Sequence, residues 1–305
     1  MREAAVPSLA PGWVRPFTNK QFALFQALVH REAGIFLSDT KKSLVVGRLM
    51  RRLREHGIDS FKDYYQLVAA DPAERVCMLD CICTNETHFF RDPRQFDFLE
   101  QTACAEWERT AAAGSRPRSL RVWSAGCSTG EEPYSVAMSL LARLPTAPGW
   151  ELEILGTDLS TKALERARAA TWPIEKAAEI PAPLLKRFML RGIGSQLGRM
   201  RAGPELRAVV QTRRLNLNDQ PDPVGGRFDL ILCRNVLIYF DGAGKKKVID
   251  RLLDCLSPGG YLLLGHAESL IGATNRTRNV GPGVYMRVPD ARTGVPEGSR
   301  RAEVP

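Results

Sequence analysis

The chain has 305 residues, 44% hydrophobic and 25% charged. That is enough apolar material for one large domain and a small companion, and it excludes a fibrous, collagenous or largely disordered chain. A net charge of +9 favours an acidic partner, whether nucleic acid, anionic lipid or an acidic protein surface, without choosing among them.

In chain order, residues 1–16 carry Pro7, Pro11 and Pro16 and predict a flexible lead-in. They contain no signal-peptide core. No later run approaches the ~20 apolar residues of a bilayer span, so a cytoplasmic protein without membrane insertion is expected. Phe22, Phe25, Leu28 and Val29 fall at helical spacing, with Gly34 as the stop. Ser38 is placed to cap a second helix running to about His56. Ser60 is placed to cap a third, and Asp71-Pro72 opens a fourth that ends near Cys83. Residues 17–83 therefore read as a small all-helical domain. A linker and helix cover 84–118, the helix opening at Asp92-Pro93. From there strands (120–125, 152–156, 229–233, 261–264) alternate with helices (132–144, 160–170, 244–256). This is the pattern of an α/β, Rossmann-like, doubly wound sheet over 119–288. Glycines 192, 194, 198 and 203 break the rhythm and predict an inserted β-subdomain at 189–210. The polar tail 289–305 predicts disorder. The seven cysteines, odd in number and mostly in apolar stretches, read as reduced thiols. Cys77, Cys81 and Cys83 have no second Cys/His cluster with which to build a metal site.

The segment 122–132 leaves the first strand and opens a helix. Gly126, Ser128 and Gly130 let a ligand approach the backbone. The spacing is not that of a dinucleotide loop. Two acids at the helix start, Glu131 and Glu132, oppose a phosphate and suit a cationic ligand. A competing reading is the G-x-S-x-G elbow of a serine hydrolase, with Ser128 as nucleophile and His266 downstream; a plain structural turn is a third. Asp158, ending the next strand, suits a ribose diol, although an aspartate there could also cap the following helix.

Three segments together, 84–92 (TNETHFFRD), 123–135 (ending GEEPYS) and 228–240 (FDLILCRNVLIYF), resemble the CheR chemotaxis methyltransferases over about 17–288. The resemblance implies a helical N-terminal domain, an S-adenosylmethionine (SAM) methyltransferase domain and a small β-subdomain. It implies methyl transfer from SAM to receptor glutamates, giving glutamate methyl esters and S-adenosylhomocysteine (SAH). Carried onto this chain, the cofactor residues are Asn85, Thr87, Arg91, Glu132 (favoured over Glu131), Asp158, Asn216, Leu217, Cys233, Arg234 and Asn235. Arg91 and Tyr239 are the candidates for holding the incoming glutamate. Asn216 is placed for an amide to read the adenine edge.

The second helix carries Lys41, Lys42, Arg48, Arg51, Arg52 and Arg54 with no acid between the first and last. It reads as a basic face that steers docking onto the acidic cytoplasmic helical region of a chemoreceptor; no nucleic-acid motif accompanies it. The insert resembles that of relatives that dock a receptor's C-terminal peptide by edge-strand pairing. A monomer is expected. The rival from another class is a catalytically silent receptor-docking or signalling module on the same fold, against which the intact Asn85, Thr87, Arg91, Glu132 and Asp158 speak.

Overall fold

The computed structural model describes residues 14–144, 149–219, 224–270 and 274–288. The expected tail 289–305, and all of the lead-in before Val14, lie outside them.

The N-terminal unit packs four helices. α1 (Asn19–Ala33) opens with a capping box in which Thr18 and Gln21 exchange side-chain and backbone bonds, and it stops at Gly34 in the left-handed region, φ 69°. α2 (Lys42–Glu55) starts later than expected. The Ser38 hydroxyl pairs with Thr40 Oγ1 at 2.8 Å rather than with a backbone N–H, so a 3-10 turn comes first. Ser60 caps α3 (Phe61–Ala70) and Asp71 caps α4 (Pro72–Ile82), both through backbone N–H groups. Their apolar faces meet in a core containing Phe25, Leu28, Leu49, Leu53, Tyr64 and Met78. Inside it, Glu74 is only 3% exposed; it receives Arg52, the Tyr64 hydroxyl (2.7 Å) and His56 Nε2 (2.9 Å). Arg52 is thus an internal counter-charge, which removes it from the expected docking face.

α5 (Pro93–Phe98) runs through a π turn into α6 (Cys104–Ala112). Asp92 does not cap it. Its backbone is left-handed, φ 61°, and its carboxylate is drawn to Arg234 Nη2 and His266 Nε2, each at 2.7 Å.

The main sheet has seven strands: β1 (Ser119–Ala125), β2 (Glu151–Asp158), β6 (Val210–Arg214), β7 (Phe228–Cys233), β8 (Leu256–Leu264), β9 (Thr277–Gly281) and β10 (Val284–Arg287). Their order is β6-β2-β1-β7-β8-β10-β9. The first five are parallel, and the pair β10–β9 closes the edge antiparallel. Helices α7 (Glu131–Arg143), α8 (Thr161–Ala169) and α11 (Gly242–Cys255) supply crossovers. Two cores result, one containing Val122, Met138 and Leu230 and the other containing Trp123, Phe228 and Leu252. The strand order reverses between β1 and β7, so a crevice opens at the carboxyl ends of β1, β2 and β7.

A three-stranded antiparallel sheet, β3 (Thr171–Pro173), β4 (Met189–Arg191) and β5 (Arg199–Ala202), has the order β3-β5-β4. It therefore reaches upstream of the expected 189–210. A 3-10 segment (Ile174–Glu179) and α9 (Ala182–Phe188) lie between β3 and β4, and α10 (Pro204–Val209) follows β5.

The helical unit is fastened to the large one. Asp80 accepts Thr161 N (2.7 Å) and Thr161 Oγ1 (2.5 Å), Phe36 N donates to Tyr239 O (2.7 Å), and Ile35 bridges Phe240.

Candidate functional site: a cavity at the sheet's switch point

A cavity of about 420 Å³ lies between the helical unit and the carboxyl ends of the strands, a size ordinary for small-molecule sites. Its wall brings together Asn85, Thr87, Arg91, Glu132, Asp158, Asn216, Leu217, Arg234, Asn235 and Tyr239. These come from five separated stretches of the chain. Cys233 is not in the wall. It is fully buried in the core under the sheet, and burial pushes its thiol well above the ordinary range.

The two acids at the start of α7 diverge. Glu131, 1% exposed, turns away to Lys176 Nζ (2.9 Å) and the Thr129 hydroxyl (2.6 Å). Glu132 faces the cavity. It accepts Ser124 Oγ at 2.6 Å and meets Arg234 Nη1 at 3.4 Å. Burial raises its pKa, opposed by Arg234 and the Ser124 bond. Such a carboxylate gains from a cationic ligand, which returns the stabilisation that water no longer gives.

Asp158 is not the helix cap; Ser160 is, accepting Ala163 N. The Asp158 carboxylate accepts Ser128 N and Ser160 N, each at 2.8 Å. Burial raises its pKa while those N–H groups oppose the rise. The two bonds leave lone pairs on both oxygens for a diol. Gly126 has φ 87°, and a Cβ there would stand 2.4 Å from Val236 Cγ2, so this loop must be glycine.

Asn216 lines the cavity, but both its amide hydrogens are committed, to Glu32 O (2.7 Å) and Asp219 Oδ1 (2.8 Å). Its side chain ties the loop to α1 and has no free donor, while Oδ1 accepts Asn218 N at 3.0 Å. Asn235 is left-handed, φ 59°, and its Oδ1 is buried without a hydrogen-bond partner among the described residues. Arg234, 6% exposed, joins Asp92, Glu132 and the carbonyl of Arg91, and so fixes the wall from behind. Arg91 makes no side-chain hydrogen bond or ion pair among the described residues.

Sequence reasoning passed over Ser124 and Glu268. Glu268, 7% exposed, accepts the N–H groups of Asn235, Val236, Leu237 and Gly265 at 2.8–2.9 Å. It holds the strained loop after β7 in place; its partners are all backbone, so no residue pattern announces them. The Ser128 hydroxyl donates to Asn85 O at 2.9 Å, and His266 pairs with Asp92. The hydrolase reading therefore has no base on its serine. No group of three His, Cys, Asp or Glu side chains is placed to hold a metal among the described residues.

The basic helix is split as well. Arg51 pairs with Glu55 (2.7 Å), Lys42 with Asn19 (2.8 Å), and Arg48 donates to Ile82 O and Thr84 Oγ1 (2.8 Å) at the cavity rim. Lys41 and Arg54 are left exposed without side-chain partners among the described residues.

A wall with two inward carboxylates, an orphan amide oxygen and a glycine turn fits a ligand that is nucleoside-like, cationic and free of phosphate. The comparisons agree. Residues 85–286 match the family described as "CheR methyltransferase, SAM binding domain" and residues 20–83 match "CheR methyltransferase, all-alpha domain". The chain is 37% identical to "Chemotaxis protein methyltransferase 2" of Pseudomonas aeruginosa, covering 88% of this chain and 93% of the relative. It is 36% identical to "Chemotaxis protein methyltransferase" of Escherichia coli, covering 88% and 91%. The relative of that name in Borreliella burgdorferi is 32% identical, covering 88% and 95%. On its fold, its cavity and these matches, the chain belongs to the CheR methyltransferase family and is a SAM-dependent methyltransferase.

Proposed function

We propose that the chain methylates glutamate side chains of chemoreceptors, leaving methyl esters and SAH. The observation that supports this most is the Arg91 guanidinium, without a side-chain hydrogen bond or ion pair among the described residues, in the same cavity wall as Glu132 and Asp158. The relatives named as chemotaxis methyltransferases point to the same class of acceptor.

SAM, when bound, supplies an electrophilic methyl carbon on sulfur. In this reading Glu132 faces its cationic part and Asp158 its ribose. Asn85 and Thr87 flank its amino-acid end, and Asn235, Arg234 and Leu217 complete the wall. Arg91 holds the acceptor carboxylate through its planar fork, and the Tyr239 hydroxyl is a second donor on the same side. One carboxylate oxygen forms the new O–CH3 bond as the C–S bond breaks and its electron pair stays on sulfur. No proton moves. An acceptor glutamate, with an ordinary pKa of ~4.3, is already ionised at neutral pH. Alignment and removal of water then lower the barrier.

Docking is assigned to the exposed Lys41 and Arg54, aided by Arg48 at the rim, against an acidic helical surface. Edge strand β4 and the connection after it, with Leu190, Ile193 and Leu197 exposed at 53%, 82% and 73%, form a surface suited to an extended peptide. The silent-module alternative fails if transfer occurs at all. The mechanism is tested by single-turnover rate against pH with SAM saturating. The rate should be level from about pH 6.5 to 9, since the nucleophile needs no base. A rise with a midpoint near 7 would require a general base and sink this mechanism.

A further inference from the structure

Three linker residues carry an unusual load. Asn85, Thr87 and Arg91 line the cavity, yet they sit in an irregular stretch where Phe90 and Asp92 both have left-handed backbones, φ 51° and 61°. A phenylalanine in that region is strained and persists only when its surroundings hold it. Part of the hold comes from the large domain, through Phe90 N to Ser135 Oγ at 3.0 Å.

Arg234 adds to it through Arg91 O and Asp92, and a further share comes from the small sheet. The 3-10 segment after β3 presents Lys176 and Glu179 to the linker. Lys176 Nζ donates to Thr87 O at 2.9 Å and pairs with the buried Glu131 at 2.9 Å. Glu179 Oε2 accepts Phe89 N at 2.8 Å, and its Oε1 meets His88 Nδ1 at 3.3 Å. Trp172 of β3 packs edge-on against Phe89, ring centres 5.0 Å apart, and donates Nε1 to Thr129 O at 3.1 Å. The segment is itself tied back to the hairpin by Ile174 N to Gly198 O at 2.9 Å.

We infer that Lys176 and Glu179 form a strut by which the small sheet holds the Thr87–Arg91 wall in its ligand-binding shape. They are positioning residues: neither is in the cavity wall, and both act through backbone atoms next to residues that are. By reciprocity, a ligand that orders the wall also orders the strut. The inference rests on the reading that Asn85 and Thr87 face the cofactor and Arg91 the acceptor beside it.

The test is calorimetric titration of the full chain with SAH, using Glu179→Ala, Glu179→Gln, Lys176→Ala, Lys176→Arg and, in parallel, Asp158→Ala. Hydrogen exchange at the Phe89 amide is followed with and without SAH. Glu179→Ala, which deletes the acceptor of Phe89 N, should weaken SAH about five- to tenfold, as expected for one hydrogen bond's worth of coupling. Glu179→Gln keeps an acceptor oxygen and should restore most of the affinity. Lys176→Arg should likewise outperform Lys176→Ala, and SAH should protect the Phe89 amide less in Glu179→Ala than in the parent. A general loss of packing would not be rescued by the glutamine. If Glu179→Ala and Lys176→Ala bind SAH as the parent does while Asp158→Ala does not, the strut is overturned and the cavity reading stands. If Asp158→Ala also binds normally, the cavity reading and the strut built on it both fall.

Discussion

Arg91 and Glu132 share one cavity wall but are assigned different partners, and their substitutions should separate. Arg91→Ala should cut single-turnover transfer on the order of 100-fold, because it removes alignment of the acceptor. SAH affinity, read by calorimetry, should change only a few-fold; unchanged turnover would remove Arg91 from the mechanism. Glu132 should give cofactor binding a pH dependence. Burial raises its pKa above the ordinary range, against Arg234 and Ser124, and the ammonium that SAH shares with SAM favours its ionised form. SAH affinity is therefore present above that raised pKa and is lost as pH falls through it. Glu132→Gln should bind weakly and flatten this dependence; a parent-like pH profile in that variant would contradict the role. At this scale the sequence conveyed which residue types stand where, but not which way they point. Glu132 and Glu131 are neighbours in an acidic pair, and only the packing of α7 sends one to the cavity and the other to Lys176. Asn216 spends its amide on Glu32, 184 positions away. Arg52 spends its charge on Glu74, 22 away. Long-range partners of this kind have no signature in spacing.

Local chemistry made most elements readable. The Ser60 and Asp71 caps and the left-handed stop at Gly34 need only residues within one turn. Ser38 misled because its hydroxyl found another hydroxyl, Thr40. β3 carries no strand signal, having three residues and ending in a proline, and exists because Trp172 and its neighbours pair with Arg199, Met200 and Arg201. The turn after β1 is the element with least tolerance. Gly126→Ala must adopt a left-handed backbone and push Val236, costing on the order of 1–3 kcal/mol and weakening SAH. Adding Val236→Ala should recover part of the loss by relieving the contact while the backbone strain stays. Full recovery, or no effect of Gly126→Ala alone, would show that the close approach is unimportant. Inside the helical unit, bonds from Arg52, Tyr64 and His56 overcome the upward push of burial and hold Glu74 at about 2, below its ordinary 4.5. The stability this confers is complete above pH 4.5 and disappears as pH falls towards about 2. Glu74→Gln should therefore lower the melting temperature near neutrality and make stability less sensitive to acid in that window. An unaltered acid transition would exclude Glu74 as its source.

At the scale of the whole molecule, two domains share one cavity. The strand alternation was sufficient to read a Rossmann-like sheet with a helical domain ahead of it, and the family matches likewise give an all-alpha domain at 20–83 followed by a SAM-binding one at 85–286, which takes in the stretch read as a linker. How the two dock was not readable, since Asp80–Thr161 and Phe36–Tyr239 join residues about 80 and 200 positions apart. The most direct test of glutamate methylation is to mix the chain with SAM labelled in its methyl group and a soluble cytoplasmic fragment of a chemoreceptor, and then to treat the product with mild base. Label should pass to the fragment and be released by base as volatile methanol, the behaviour of a carboxyl methyl ester. A fragment left unlabelled, or labelled in a form that survives base, would contradict it.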